Sequence, residues 1–398
     1  MRVLIFAPNG GVSLSTGGGT KVLLRMAEIL ADDLRQDVTV AGYHSLSLGA
    51  LEGLHSVSLN RLGVRLHSAS AGAIYETFRR FPFKLSPYNL LLSPAFGRWI
   101  RSAIRDTHPD IIWFHDDIPR AALPALGSTK IYLYVHYPFA GRMRSIAPPL
   151  VHTRTVLEHV NESVLVALSK RLIAFPADLG SIEIWTNSTI TSSAVQRAWG
   201  IPSRVVYTYV RKSAMDSQLM NKDRLILAVG ALSKGKGFHL LIDGFAHARL
   251  EGWKLLLIGH SRDASYHARL RAQILRSGLS GKVDIMTDIS HLELERAFKR
   301  ASVIVNCASF EPFGLAFLEG MSYGAIPVTI QSDFSGCWTD ICNRGEFGRG
   351  FHSVTELTEE LRQLTEMESR DGEAMAAIER SGFFNRSRLV DALNHSVR

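Results

Sequence analysis

Apolar strand-like runs and amphipathic helical runs alternate along this 398-residue chain from end to end. RVLIFAP (2–8), DVTVAGY (37–43), DIIWFH (110–115), KIYLYVHY (130–137) and EIWTNS (183–188) read as strands, and the segment after Gly19 lines Leu23, Met26, Ala27, Leu30 and Leu34 along one helical face. A second series follows through RLILAVG (224–230), the helix GFHLLIDGFAHARL (237–250), WKLLLIG (253–259), KVDIMTD (282–288), VIVNCA (303–308) and IPVTI (326–330). Strands separated by helices pair in parallel, so each series implies a doubly wound sheet with ligands at the carboxyl ends of its strands. Pro8, His115 and His136 fall at such ends. A chain of this length exceeds one core. Two series of similar size imply an α/β protein of two Rossmann-like domains facing one another across a cleft, divided in the polar stretch between Tyr207 and Asp223. The expected domains are 1–210 and 211–375.

Composition narrows the class without choosing a function. With 46% hydrophobic and 21% charged residues the chain is globular, and no apolar run reaches the roughly 18 residues of a membrane-spanning helix. MRVLIFAPNGG reads as a first strand, not a signal peptide, and the expected location is the cytoplasm. Cys307, Cys337 and Cys342 form no metal-ligand pattern, so no metal site is expected. A formal charge of +8 favours an anionic partner. It provides no clustered basic helix or nucleic-acid motif, so nucleic acid is not expected as a partner. In TFRRFPFKL, from Thr77 to Leu85, three phenylalanines alternate with Arg79, Arg80 and Lys84, a pattern suited to a membrane surface as well as to a partly buried loop with a solvated rim.

The segment ASFEPFGLAFLEGMSYGAIPV, from Ala308, carries the most chemistry. A strand precedes it, Leu315, Leu318 and Met321 repeat at helical spacing, and Pro312 and Gly314 break the chain between them. Unpaired amides at that helix opening suit an anionic diphosphate against Phe313, Gly314 and Leu315. Glu311 and Glu319 flank the opening, at most about 12 Å apart along a helical path. That spacing suits one carboxylate on sugar hydroxyls and the other on ribose hydroxyls. The first loop, NGGVSLSTGGGTKV, is glycine-rich but is no P-loop, because Lys21 follows Thr20 instead of preceding a hydroxyl residue. GALSKGKG (230–237) imitates a triphosphatase loop until Gly237 stands where the magnesium-binding hydroxyl belongs. Asp-x-Asp does not occur in the chain.

The cassette of strand, Ser309, Glu311, Pro312, Phe313, Gly314, Glu319, Gly324 and Pro327 resembles the signature of the retaining, two-domain GT-B glycosyltransferases of the family 4 group, in which E-x7-E follows the same strand. The resemblance implies a GT-B fold, with a last segment, 376–398, crossing back to the first domain. It implies transfer of a hexose from a GDP- or UDP-linked donor to an acceptor hydroxyl, with retention and without a cofactor. Paired glycines, six residues, an apolar residue, Ala, two residues and Leu match GGTKVLLRMAEIL, so Gly18 and Gly19 are expected to face the donor. GALSKGKG is similar to the family's GRL-x3-KG, which gives Lys236 the diphosphate and leaves Ala231 where an arginine is usual. The family's histidine, which contacts the donor sugar, corresponds to His136, with His115 as the competing strand-end histidine. Glu311 is expected to hold sugar hydroxyls and is not assigned as a nucleophile. YVHYP (134–138), WTNSTITSSAVQRAW (185–199) and SGCWTDI (335–341) further resemble the eukaryotic alpha-1,2-mannosyltransferases of lipid-linked oligosaccharides, which implies mannose and a glycan or lipid-linked acceptor. A non-catalytic sugar-nucleotide binder, a sugar-nucleotide epimerase and a glycogen-synthase-like polymerase share the fold and remain open.

Overall fold

The computed structural model describes residues 1–11, 13–14, 17–71, 91–138, 164, 168, 171–211, 222–260 and 264–398. The basic, aromatic stretch from Thr77 to Leu85 lies outside them. The chain divides into two compact units: one runs to Thr208 and takes up Ser387–Arg398, and the other is built from Tyr209–Arg386.

The first unit is organised on a seven-stranded parallel sheet. In chain order its strands are β1 (Arg2–Phe6), β2 (Asp37–Ala41), β3 (Arg65–His67), β4 (Ile111–His115), β5 (Lys130–Val135), β6 (Ile182–Thr186) and β7 (Arg204–Val205), and across the sheet they run β7-β6-β5-β4-β1-β2-β3. β1, β4 and β5 are buried on both faces, which explains their unbroken apolar runs. Between the sheet and its helices Phe6 stacks on Phe114 (centroids 4.9 Å apart, 7° between planes), while Trp113 stacks on Tyr132 at 4.4 Å and meets Trp185 edge-on. The strand order reverses between β1 and β4, which opens a crevice at their carboxyl ends. α1 (Gly18–Asp32) follows β1, α2 (Pro94–Thr107) precedes β4, and α3 (Thr189–Trp199) follows β6. The unit is completed by the last helix, whose Ser396 carbonyl accepts from the Tyr132 hydroxyl (3.0 Å) and Lys130 Nζ (3.2 Å) of β5.

In the second unit β8 (Asp223–Val229), β9 (Lys254–Gly259), β10 (Val283–Thr287), β11 (Ala301–Asn306), β12 (Ile326–Ile330) and β13 (Arg349–Phe351) form a parallel sheet ordered β10-β9-β8-β11-β12-β13. Its switch point lies between β8 and β11, and each is followed by a helix, α4 (Phe238–Ala248) and α7 (Leu315–Ser322). α5 (Ala264–Arg276) and α6 (His291–Arg300) link the strands between them. α8 (Val354–Glu366) packs Leu357 and Leu361 against α4, α9 (Asp371–Gly382) follows, and α10 (Arg386–Ser396) is the helix that belongs to the first unit. β11 ends at Asn306, two residues before the expected Ala308, because the Asn306 side chain accepts from the Ala308 amide (3.0 Å) and turns the chain out of the sheet. Among the described residues no helix is long and apolar enough to cross a membrane.

Candidate active site

In the second unit, glycine approaches bring the loops after β8, β9 and β11 together. A Cβ on Gly259 would lie 1.7 Å from the Gly230 carbonyl, and one on Gly237 would lie 2.4 Å from the Cys307 carbonyl at a φ of +68°. Neither position admits a side chain. Because Gly237 also begins α4, the start of that helix is pressed against the end of β11. Between them Lys234–Lys236 forms one 3-10 turn, and the Lys236 stem lies over Gly230, where a Cβ would be 3.5 Å from Cδ. Lys236 Nζ forms an ion pair with Glu311 Oε2, with the carboxylate only 15% exposed.

Glu311 is held by its backbone. Its amide donates to the Phe334 carbonyl (3.0 Å) and its carbonyl accepts from the Gly336 amide (2.7 Å), a single parallel bridge to Ser335. Gly336 lies close beneath it, with a would-be Cβ 2.5 Å from the Pro312 carbonyl. Gly314 then begins α7 at φ +98°, without a side-chain cap, and a Cβ there would meet Cys337 Sγ at 2.2 Å. Burial, and next the Glu311 charge, push the Cys337 thiol up, so it is a packing group and not a thiolate. The first amides of α7 therefore begin at a backbone whose position is set by glycines, beside an ion pair. Partial positive charge at this helix start and the Lys236 ammonium suit two phosphates. Phe313 is buried edge-on against Phe384 (5.7 Å), so its contribution to a ligand is limited to its backbone. Leu315 opens α7, and Glu319 is half-buried in its second turn, where the charge adds to burial and Glu295 in raising the Tyr323 hydroxyl.

The first unit holds a separate cluster at its own switch point. Pro8 follows β1, His115 ends β4 and His136 follows β5, the positions expected from the strand pattern. His115 Nδ1 lies 3.1 Å from His136 Nε2 with the rings stacked (5.3 Å, 29°). Gly19, in the first turn of α1, approaches Pro8 and the His136 ring: a Cβ there would lie 3.2 Å from Pro8 Cγ and 3.3 Å from His136 Cδ2 and Nε2. Gly18 is exposed, and a Cβ on it meets nothing within 4 Å. A Cβ on Gly19 would press on the histidine, which would have to give by a few tenths of an ångström, whereas Gly18 has open space beside it.

Asp116 is a residue that sequence reasoning missed. Its φ is +68°, and its carboxylate accepts from the amides of Asn9 (3.2 Å), His136 (2.9 Å) and Tyr137 (3.4 Å), so it ties the ends of three strands together. The adjacent carboxylates of WFHDD at a strand end were the available signal. Thr191, on α3, donates from its hydroxyl to the His136 carbonyl (2.9 Å).

Residues 211–380 match the family model described as glycosyl transferases group 1. This chain carries a group 1 glycosyltransferase domain. The Neurospora crassa GDP-Man:Man(3)GlcNAc(2)-PP-Dol alpha-1,2-mannosyltransferase is 26% identical over 85% of this chain and 69% of its own length. A GDP-mannose:cellobiosyl-diphosphopolyprenol alpha-mannosyltransferase of Komagataeibacter xylinus is 30% identical, over 28% of this chain and 29% of its length. Among solved structures, Anabaena HepE, in complex with UDP and glucose, superposes with a TM-score of 0.66 and 18% identity, covering 100% of this chain and 98% of that one. These neighbours fix the fold as GT-B. The group 1 domain lies in the unit that carries Lys236, Glu311, Gly314 and Glu319.

Proposed function

We propose that the protein is a retaining, metal-independent hexosyltransferase that moves mannose from a GDP-linked donor to a hydroxyl of a lipid-linked glycan, working from the cytoplasmic side at a membrane face. The observation that carries this reading is the Lys236–Glu311 pair at the uncapped start of α7. The donor diphosphate takes Lys236 and the helix amides, which frees the Glu311 carboxylate for the sugar hydroxyls, while Glu319 holds the ribose. Gly18 admits the donor, and His136 reaches the sugar. In the reaction the bond from the sugar's anomeric carbon to the phosphate oxygen breaks, and its electron pair leaves with the nucleoside diphosphate. The acceptor oxygen bonds the anomeric carbon, and its proton goes to the departing phosphate. Fixed positive groups already aimed at the departing phosphates lower the barrier where charge grows. Lys236 and amide dipoles supply that charge without a cofactor.

Mannose and a lipid-linked acceptor are supported by the two relatives, whose names state a GDP-mannose donor and a lipid-diphosphate acceptor. The test is a rate measurement with GDP-mannose, UDP-glucose and UDP-GlcNAc on a polyprenyl-diphosphate glycan, with the anomeric configuration of the product read by NMR. Turnover with GDP-mannose and an alpha-linked product is expected. Turnover confined to UDP-GlcNAc, or an inverted product, would refute the reading.

A further inference from the structure

His115 and His136 meet nitrogen to nitrogen, and their surroundings decide which ring supplies the proton. At 3.1 Å, Nδ1 of His115 and Nε2 of His136 share one hydrogen bond, so one of them donates and the other accepts. His115 is fully buried, with the Tyr134 ring stacked on it at 5.4 Å, and its Nε2 finds no hydrogen-bond partner among the described residues. Burial, and next the charge that His136 would carry, hold His115 well below the ordinary histidine value, so it is neutral and has a single proton. With that proton on Nε2 the protein would bury an N–H without an acceptor, a rarer and costlier state than a buried nitrogen lone pair. With the proton on Nδ1, the N–H points at Nε2 of His136. His136 then accepts at Nε2 and keeps its own proton on Nδ1.

We propose that His115 is a positioning residue: by donating from Nδ1 to Nε2 of His136, it fixes His136 as the Nδ1–H tautomer and makes that nitrogen a hydrogen-bond donor for an oxygen of the transferred sugar. The inference rests on the reading that His136 contacts the donor sugar. It requires that His136 stay in place, and the structure holds it from three sides. The His136 amide donates to Asp116 Oδ1, its carbonyl accepts from Thr191 Oγ1, and Gly19 closes on the ring edge. The Asp116 carboxylate is occupied with the amides of Asn9, His136 and Tyr137, and His115 Nδ1 meets the ring nitrogen itself. A neutral imidazole in water favours the opposite tautomer, with its proton on Nε2, so the protein must impose this one. Sugar hydroxyl and ring oxygens accept hydrogen bonds, and an imidazole fixed as a donor matches them without a rearrangement during the reaction.

The test is long-range proton–nitrogen NMR on the full, nitrogen-15-labelled chain without ligand, with the His136 signals identified by their loss in His136→Ala. The expected pattern is a protonated Nδ1 on His136. His115→Asn, whose amide nitrogen stands near the place of Nδ1, should retain that pattern and most of the transfer rate. His115→Phe should switch His136 to the Nε2–H form and lower kcat about 10-fold or more, with KM for the donor little changed, as expected when a reacting contact is misaligned and not lost. A protonated Nε2 on His136 in the unaltered protein, or an unaltered tautomer in His115→Phe, overturns the assignment. His136→Ala separates the two ideas: undiminished transfer by that variant removes the reading of His136, whatever its tautomer.

Discussion

Gly314→Ala is the perturbation whose effect follows most directly from the geometry. Gly314 sits at φ +98°, where an L-residue is strained by about 1–2 kcal/mol. Its new Cβ would stand 2.2 Å from Cys337 Sγ, far inside contact distance, and forcing extra volume into a packed site costs about 1–3 kcal/mol. The sulfur cannot step aside easily, because Cys337 is fully buried in the turn that Gly336 presses against Pro312. A combined loss of about 3 kcal/mol corresponds to a fall of roughly 6–12 °C in the melting temperature of a domain of this size. Cys337→Ala removes the overlap but not the strain, so the double variant should recover at least about 1 kcal/mol relative to additivity. Scanning calorimetry on the four proteins measures both terms. Gly314→Ala melting with the unaltered protein, or strict additivity in the double variant, would refute the argument that contact with this sulfur makes glycine obligatory at the start of α7.

Other outcomes follow from the same geometry. Glu311→Ala should lower transfer by about 10²-fold or more while donor binding remains measurable by thermal shift, as the proposed role of the carboxylate in orienting the reacting sugar requires. Lys236→Arg should retain more activity than Lys236→Ala in initial-rate assays, since charge on the diphosphate is what the site needs, and neither rate should respond to a metal chelator. Gly18→Ala should leave the melting temperature unchanged, as its Cβ meets nothing, whereas Gly19→Ala should displace the His136 ring and reduce kcat. For pH, His115 titrates below its ordinary 6.5 in the folded protein, so as pH falls below about 6.5 the unfolded chain binds the proton first and stability declines until the folded value is reached. His136, Asp116 and Tyr134 are the groups that face or adjoin it, and His115→Phe should flatten this decline in melting scans between about pH 7 and about pH 5.

Much of this arrangement was legible in the sequence, because its physics is local. The central strands β1, β4, β5 and β11 are near-continuous apolar runs, which is how strands covered on both faces read, and Glu311, Gly314 and Glu319 follow one of them at fixed spacing. Lys236 was legible for the same reason, as a lysine in a glycine loop after a strand. What could not be read were encounters between distant segments. That Gly237 abuts Cys307, that Gly314 abuts Cys337, and that Asp116 binds the amides of Asn9 and His136 depend on strand order, and the sequence records no order across a sheet. Strand pattern placed His115 and His136 as rivals, whereas the adjacency of β4 and β5 makes them partners.

On the proposed function, the donor's two phosphates bind at the start of α7 and take Lys236 from Glu311. A crystal structure with GDP bound, with GDP-mannose as the second ligand, tests this most directly. The expected result is phosphate oxygens within hydrogen-bond distance of the first α7 amides and of Lys236 Nζ, with Glu311 released toward the sugar in the GDP-mannose complex. Phosphates bound elsewhere, with the Lys236–Glu311 pair intact, would contradict it.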